Sequence, residues 1–529
     1  MRGDRRRIPG LAALLAAGLL VGGCVDAPAP QSPPTSTSVE SPNQVAGVTI
    51  PDGQVGQAVD RLDELAQSLL ATSRVPGLAV AVVHDGKVVY RKGFGVRAVG
   101  SDAKVGPETV FQLASVSKSL AATVVARQVA TGAVQWDTPV RTLLPSFALN
   151  DPYVTDKVTV GDLFAHRSGL PDHAGDLLED LGYDRDQVLE RLRELPLGAF
   201  RDSYAYTNFG LTAAAVAVAT AAGTDWETLS DKEIYQPLGM TSTSSRYSDF
   251  RARTDRADGH VLVDGTYRVA DPPRDPDAQS PAGGVSSSVD DLTKWMTMVL
   301  ADGAFEGRPF LASDALQPAL SPQAVSSPPT TLDARAGFYG YGFNIGISPA
   351  GRVVLGHSGA FDLGAATAFT MIPSVNVGIV TLTNAAPIGL PETLNAEFAD
   401  LVQFGTVRED WRTLYREAFA PFSAPSGSLA GATPPARPTP AQPLPSYAGR
   451  YDNDYYGPAT VAVEGDDLVL TLGPQNMRFP LRHWDGDTFV FTPTGENAAA
   501  GSVSRATFAG NTLTLEYFDA NGLGVFTRP

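Results

Sequence analysis

The stretch Phe111-Gln-Leu-Ala-Ser-Val-Ser-Lys118-Ser-Leu places a serine, Ser115, three positions before a lysine, Lys118. The small and apolar run at 120–130 predicts a buried helix that ends at Gly132. Residues three apart share one face of a helix, so the lysine amine can lie beside the serine hydroxyl. A serine is a weak nucleophile until a base takes its proton, and a lysine can be that base only when its pKa is lowered. The helix N-terminus also directs backbone N–H groups towards a developing oxyanion.

A second serine–lysine pair with the same spacing is Ser101-Asp-Ala-Lys104, which lies between glycine and proline residues and is predicted to be a surface loop. Ser117 directly precedes Lys118 and projects from a different side of the helix. Taken alone, the pattern at Ser115 also fits a serine at a helix start with a solvated lysine nearby.

The N-terminus has the features of an export signal. Arg2 and the arginines at 5–7 precede a short apolar segment at 11–21, which is too short for a membrane span. The segment ends Leu-Val-Gly-Gly-Cys24, which resembles the bacterial lipoprotein signal. We therefore predict that residues 1–23 are a lipoprotein signal peptide and that Cys24 is lipidated. The protein would then be anchored to the outer side of a bacterial membrane, in the periplasm or cell envelope; an ordinary secretory signal is the alternative.

Composition divides the rest of the chain. Residues 24–54 are rich in proline and serine and are predicted to be a disordered tether. A linker is predicted at 406–446, with a short helix at 407–420 followed by a stretch rich in proline, alanine and serine at 421–445. The remaining parts, 55–405 and 447–529, are predicted to be a catalytic domain and a small C-terminal β domain. The net charge of −17 argues against a nucleic-acid partner.

The charge-rich stretches at 172–186 and 255–277 are predicted to be solvated surface. Cys24 is the only cysteine, so neither an intrachain disulfide nor a second reactive thiol is available. The six histidines form no HExxH or other close ligand pair, so we expect neither a metal nor a cofactor.

Secondary-structure patterns indicate an α/β fold. A helix is predicted at 57–71 and a hairpin at 77–94, helices dominate the middle of the chain, and strands return between 342 and 383. Strands at both ends imply a sheet built from N- and C-terminal parts, flanked by an inserted helical region.

From residue 447 onward, evenly spaced alternating segments predict a small antiparallel barrel or sandwich, with strands at 460–463, 468–472, 488–491, 504–508 and 512–516. Its aromatic residues could line a ligand groove, but core packing is the favoured interpretation for Tyr451, Tyr455, Tyr456 and Trp484. We also expect this domain to fold independently and to contribute no catalytic group.

Two further patterns carry polar groups. Tyr206-Thr-Asn208 precedes an apolar helix, and Gly356-His-Ser-Gly-Ala360 opens a late strand. The second nearly matches a Gly-x-Ser-x-Gly nucleophile elbow, but Ala360 breaks the pattern. Each pattern alone also fits a structural role.

Taken together, and in their order along the chain, these patterns are specific for one protein family. Ser115-x-x-Lys118, Tyr206-x-Asn208 and His357-x-Gly359 have the order and rough spacing of the serine beta-lactamase-like hydrolases. That family includes class C beta-lactamases, D-alanyl-D-alanine carboxypeptidases, D-aminopeptidases and beta-lactamase-like esterases. The resemblance covers about residues 55–405 and includes further sequence motifs of the family at 163–170, 281–295 and 340–343. The C-terminal part resembles a domain of unknown function attached to many of these hydrolases.

The resemblance implies a beta-lactamase/transpeptidase-like fold and a role for each matching residue. Ser115 would be the acylated nucleophile, and Lys118 and Tyr206 together would accept and return its proton. Asn208 would contact the substrate amide.

The late triplet supplies the other implied roles. The backbone N–H groups of Ser115 and Ala360 would hold the oxyanion, beside Gly359 in the substrate-binding strand. His357 stands where class C beta-lactamases have lysine, which weakens a beta-lactamase assignment because a titratable imidazole replaces a permanent cation.

Three functions therefore remain open. The favoured one is a serine hydrolase, a peptidase, amidase or esterase, that acts on a small molecule or peptide through an acyl-enzyme. The others are a true beta-lactamase and a non-catalytic, penicillin-binding-like protein that binds peptidoglycan. The sequence does not choose among lactam, peptide and ester, because that choice lies in the loops of the pocket wall.

Overall fold

The computed structural model describes residue 41 and residues 43–529. The predicted signal peptide, Cys24 and most of the predicted tether lie outside these residues. No helix within the described part of the chain is both long and apolar enough to cross a membrane.

The strands follow in chain order: β1 Gly77–His84, β2 Lys87–Gly95, β3 Phe111–Gln112, β4 His260–Val263, β5 Thr266–Val269, β6 Ser286–Ser287, β7 Ala304–Phe305, β8 Arg308–Pro309, β9 Ala324–Ser327, β10 Gly337–Tyr339, β11 Asn344–Ile347, β12 Val353–Phe361, β13 Ala365–Ile372, β14 Val377–Thr383, β15 Gly449–Tyr451, β16 Ala459–Glu464, β17 Asp467–Leu472, β18 Met477–Asp485, β19 Thr488–Phe491, β20 Ser504–Ala509, β21 Thr512–Leu515 and β22 Val525–Thr527.

The α-helices are α1 Gln54–Asp60, α2 Leu62–Ser73, α3 Ser117–Ala130, α4 Val140–Leu143, α5 Pro152–Lys157, α6 Val160–Phe164, α7 Asp176–Asp180, α8 Arg185–Arg191, α9 Asn208–Ala221, α10 Trp226–Ser230, α11 Tyr247–Ala252, α12 Ser280–Gly283, α13 Val289–Leu300, α14 Ser313–Leu316, α15 Leu390–Phe404 and α16 Trp411–Phe419. A short 3-10 turn at Ala114–Val116 leads directly into α3.

The central sheet is antiparallel and has the order β2-β1-β14-β13-β12-β11-β10-β9. Strand β1 pairs with β14, which confirms that the N- and C-terminal parts of the chain share one sheet. Alternate residues of β1 enter different cores: Leu78 and Val80 pack on the side of α1, α2 and α15, whereas Ala79 and Ala81 pack on the side of α3 and α13. A strand buried on both faces explains its continuous apolar sequence.

Helix α3 is the central helix of the second core. Its residues from Ser117 to Ala126 are all buried, so its small side chains allow neighbouring elements to approach from every side. The helix ends at Ala130, and Gly132 follows with a positive φ of 77°, in agreement with the predicted C-terminal glycine.

The C-terminal strands β15 to β22 form a second sheet in which each strand pairs with the next one. A further bridge joins Asp452 to Thr527, so the first and last strands meet and the sheet is a nearly closed barrel. The aromatic residues predicted to pack in the core are buried: Tyr451, Tyr455, Tyr456 and Trp484.

Some predicted elements differ from the structure. The single helix expected at 57–71 is two helices, α1 and α2, which meet at Arg61. The pattern 356–360 does not open a strand but lies inside the long β12. Strand β18 was missed because Pro480, which has no N–H to donate, interrupts its sequence pattern, although it pairs with Val469.

Candidate active site

Ser115 lies on the sharp turn that enters α3. The preceding residue, Ala114, has φ 47°, a left-handed conformation that is unfavourable for any residue with a Cβ. Strand β3 holds the chain just before this turn by pairing with β6. The turn leaves Ser115 partly exposed while its neighbours Ala114 and Val116 are buried.

Lys118 is fully buried and has three oxygen partners. Its Nζ donates to Asn208 Oδ1 at 2.7 Å and to the Ala282 carbonyl at 3.0 Å, and it lies 3.1 Å from Ser115 Oγ. Burial lowers the pKa of Lys118 to about 7, against an opposing effect of the Asp176 charge. A neutral amine has two hydrogens, which suffice for Asn208 and Ala282. Its lone pair is then left to accept the proton of Ser115.

A carboxylate behind Asn208 fixes the orientation of the amide. Asn208 Nδ2 donates to Asp176 Oδ2 at 2.9 Å, and His173 Nδ1 contacts the same oxygen at 2.8 Å. Because the amide nitrogen is used in this way, the amide oxygen must point towards Lys118. Asp176 is 3% exposed, so the prediction that the whole stretch 172–186 is solvated was wrong.

Tyr206 covers the other side of the amine. Lys118 Nζ lies 4.6 Å from the centroid of the Tyr206 ring. Burial raises the pKa of Tyr206 well above its usual value, and a hydrogen bond with Ser115 opposes this shift. The phenol is therefore protonated at neutral pH and is a proton donor or relay rather than an initial base.

His357 is neutral in this environment. Burial lowers its pKa to about 3, and the nearby Lys118 charge contributes in the same direction. Nδ1 lies 2.6 Å from the Ser358 carbonyl and Nε2 lies 2.8 Å from the Tyr339 hydroxyl. A neutral ring that donates from Nδ1 and accepts at Nε2 satisfies both contacts. His357 is therefore not a cation that could bind a substrate carboxylate.

Gly359 brings β12 against the turn at residues 113–115, which carries Ser115 and which we call the catalytic turn. A Cβ at this position would lie 2.3 Å from the Leu113 carbonyl and 2.9 Å from Ser115 N. Strand β11 pairs with β12 only as far as Gly356, so the edge that includes Ala360 is left free beside this turn. A glycine is required because the two backbones approach so closely.

The rival serines have other contacts. Ser117 Oγ accepts a hydrogen bond from Val285 N at 3.0 Å, and Ser101 is exposed and caps its own turn by accepting from Ala103 N. Ser358 Oγ donates to the Glu392 carboxyl of α15, on the opposite side of β12 from the catalytic turn. Of these serines and Ser115, only Ser115 contacts the buried lysine amine.

Several residues of the site had no separate role in the sequence patterns. The Ala282 carbonyl and Tyr339 lie within or beside the stretches 281–295 and 340–343 that the family resemblance had marked. His166, from the stretch 163–170, is buried, accepts from Thr207 N and has its ring 4.6 Å from that of Tyr206. No sequence pattern marked Asp176 as a residue of the site; only its position before Asn208 in the chain could have suggested it.

The glycine-rich stretch 340–343 has a packing role beside the lysine. A Cβ on Gly342 would lie 2.4 Å from the Lys118 carbonyl, and Ser119 Oγ donates to the Gly342 carbonyl at 2.5 Å. Among the described residues, no group of three or more His, Cys, Asp or Glu side chains is arranged to hold a metal ion.

An antiparallel sheet flanked by helices, with a buried lysine beside a serine at the head of the central helix, defines a serine hydrolase of the beta-lactamase and penicillin-binding type. The chain belongs to the Beta-lactamase family, whose model matches residues 62–404, and a domain of unknown function (DUF3471) matches residues 433–513. The predicted family, fold class and serine hydrolase activity are thereby confirmed.

Proteins similar to this chain include two named relatives and one solved structure. Unguisins hydrolase ungD of Aspergillus violaceofuscus is 27% identical over 479 residues, which cover 82% of this chain and 83% of the relative. Penicillin-binding protein 4 of Amycolatopsis lactamdurans is 29% identical, with 74% of this chain and 97% of the relative covered. The octameric penicillin-binding protein homologue from Pyrococcus abyssi has the same fold, with a TM-score of 0.59 at 22% identity, over 87% of this chain and 98% of that one.

Proposed function

We propose that this protein hydrolyses an amide or ester bond of a small molecule or peptide through an acyl-enzyme on Ser115. The observation that carries the proposal is the contact of 3.1 Å between Ser115 Oγ and a fully buried lysine amine. Because the pKa of Lys118 is about 7, the neutral amine is abundant at neutral pH and can act as general base.

The proposed reaction begins when Lys118 Nζ takes the proton of Ser115 Oγ, which attacks the substrate carbonyl carbon. The oxyanion is held by the N–H groups of Ser115 and Ala360, and Asn208 contacts the substrate amide. Tyr206 donates its phenol proton to the leaving amine or alcohol as the bond to it breaks, and takes a proton in return from the Lys118 ammonium, whose Nζ lies 4.6 Å from the centroid of its ring. Water then attacks the acyl-enzyme by the reverse proton path and frees Ser115.

The neutral state of His357 supports a peptidase, amidase or esterase over a true beta-lactamase. A beta-lactam carries a carboxylate that a cation would bind, whereas a buried neutral imidazole offers only hydrogen bonds. The alternative of a non-catalytic, penicillin-binding-like protein gives no reason for a lysine with a lowered pKa beside a serine.

Intact-mass spectrometry with a fluorophosphonate tests the proposal. The protein should gain one adduct, and peptide mapping should place it on Ser115. The Ser101→Ala variant is the matched control, because it removes the other serine of a Ser-x-x-Lys pair, and it should label like the wild type. An adduct that persists in Ser115→Ala, or one that maps to Ser358, would refute the mechanism.

We further propose that the protein is exported and held on the outer side of a bacterial membrane by lipid on Cys24. The support is the sequence Leu-Val-Gly-Gly-Cys24 after a charged and then apolar segment. An alkyne fatty acid fed to expressing cells should label the wild type and not Cys24→Ala. Equal labelling of the two proteins would end this proposal.

A further inference from the structure

The C-terminal barrel is packed against the catalytic domain, and residues 46–529 form one compact unit. One contact near the active site comes from the loop between β19 and β20. Within this loop, residues 492–497 reach two elements of the catalytic domain: the turn after β12 and the end of α7. We call residues 492–497 the clamp loop.

The first contact holds the turn that follows the strand of His357 and Ala360. Glu496 accepts hydrogen bonds from Asp362 N at 2.6 Å and from Leu363 N at 3.2 Å. These amides lie two and three residues beyond Ala360. A single carboxyl group from the small domain therefore binds two consecutive N–H groups at the end of the strand that the proposed oxyanion hole requires.

The second contact holds α7, on another side of the site. Asp180 accepts from the backbone N–H of Glu496 at 2.9 Å and from the backbone N–H of Asn497 at 3.0 Å. Gly495 is pressed so closely against this helix that a Cβ there would lie 2.5 Å from the Asp180 carboxyl carbon. The same short helix begins with Asp176, the carboxylate that orients Asn208.

Arg274 joins the two contacts. Its guanidinium donates to Glu179 at 2.6 Å, lies 3.8 Å from the Glu496 carboxyl group and stacks on Phe361, the last residue of β12, at 4.9 Å. The Arg274 side chain is only 7% exposed and those of Glu179 and Glu496 are 6% and 11% exposed. Partners this well buried are weakly screened and hold one geometry, unlike a surface ion pair.

We propose that the clamp loop fixes β12 against the catalytic turn, with Glu496 as a positioning residue, so that the C-terminal domain is part of the catalytic unit. This inference rests on the proposed acyl-enzyme mechanism, because it concerns the N–H of Ala360 as an oxyanion donor. Glu496 touches neither Ser115 nor Lys118 and acts only through the turn that it binds. A displacement of about 1 Å at a reacting centre can lower a rate by about a hundredfold.

The test compares Glu496→Ala with Glu464→Ala in the full-length protein. Glu464 is a matched control because it is an exposed glutamate of the same domain, paired only with Arg478. We expect Glu496→Ala to slow fluorophosphonate labelling of Ser115 about tenfold or more, and Glu464→Ala to leave it unchanged. With a p-nitrophenyl ester the loss should fall on kcat with little change in KM, because an oxyanion donor acts in the transition state.

Two further measurements separate positioning from general destabilisation. Hydrogen exchange at the Asp362 and Leu363 amides should quicken in Glu496→Ala. The isosteric Glu496→Gln variant keeps one acceptor oxygen and should recover part of the rate, and it carries the test if Glu496→Ala does not fold. Labelling of a folded Glu496→Ala variant within twofold of the wild type, or an equal loss in Glu464→Ala, would overturn the inference. If Glu496→Ala does not fold, labelling of Glu496→Gln at the wild-type rate would overturn it. Failure of the wild type to label at Ser115 would instead refute the proposed function.

Discussion

The protonation of Lys118 should set the pH dependence of acylation. Its amine must be neutral to accept the Ser115 proton, and its pKa is lowered to about 7 by burial. The acylation rate should therefore rise with pH through about 7 and then level off. Two pH units below this pKa, about one lysine in a hundred is neutral, so the rate at pH 5 should be about one hundredfold below the plateau.

Other titratable groups near the site determine which controls are needed. His357 has a pKa of about 3 and stays neutral above pH 5, and burial lowers the pKa of His166 well below its usual value. His173 has a pKa raised by its hydrogen bond with Asp176, and Glu392, behind β12, has a pKa of about 7 because it is buried. The variants His173→Gln and Glu392→Gln should therefore both retain the rise if Lys118 is its source.

The assay is stopped-flow acylation by a chromogenic ester between pH 5 and pH 9, with labelling of Ser115 as a second readout. Lys118→Ala should lower the plateau by about 10² to 10⁴ and should lose the rise near pH 7. A rate that is flat over this range, or a rise that disappears in Glu392→Gln while Lys118→Ala retains it, would refute the assignment of Lys118 as the base.

Two other substitutions test separate parts of the site. Gly359→Ala places a Cβ 2.3 Å from the Leu113 carbonyl, so we expect a loss of about 1 to 3 kcal/mol in the free energy of unfolding and slower labelling of Ser115. Gly346→Ala is the control, because a Cβ at this position would meet no atom within 4 Å. In the same melting and labelling experiments, it should change neither the free energy of unfolding nor the labelling rate. Tyr206→Phe removes the hydroxyl that hydrogen-bonds Ser115, and stopped-flow acylation should slow about tenfold, less than for Lys118→Ala; a loss equal to that of Lys118→Ala would mean that the phenol is the primary base.

The parts of the site that local geometry determines could be predicted from the sequence. The pairing of Ser115 with Lys118 needs only the spacing of a helical turn, and the burial of the lysine follows from the apolar run after it. The orientation of His357 could not be predicted in the same way. It depends on Tyr339 from another strand and on burial, which turn an expected titratable ring into one that stays neutral.

The fold was predicted where patterns are long, and its details were missed where a tertiary contact overrides a local rule. Strand β1 is apolar from Gly77 to Val83 and β14 is mostly apolar because both faces of each strand are covered, and this pattern is visible without the structure. The acidic stretch at 172–186 was predicted to be solvated because acidic residues are seldom buried unpaired. The burial of Glu179 depends on Arg274, which lies 95 positions later in the chain.

The same reasoning changes what the proline-rich linker implies about the C-terminal domain. A change of composition at 421–445 indicates that two parts of the chain have their own secondary structure, but it does not show that their surfaces are unrelated. Here the interface brings four carboxyl groups together: Glu179, Asp180 and Glu496 lie around the guanidinium of Arg274, and Asp362 lies beside Asp180. Burial raises the pKa of each carboxyl, to about 8 for Glu496, because one cation cannot offset the desolvation of four anions. An arrangement with this electrostatic cost is poorly explained as a way to attach a passive domain. The arrangement is better explained if the geometry that the clamp loop imposes on β12 and α7 is needed for catalysis, as we propose.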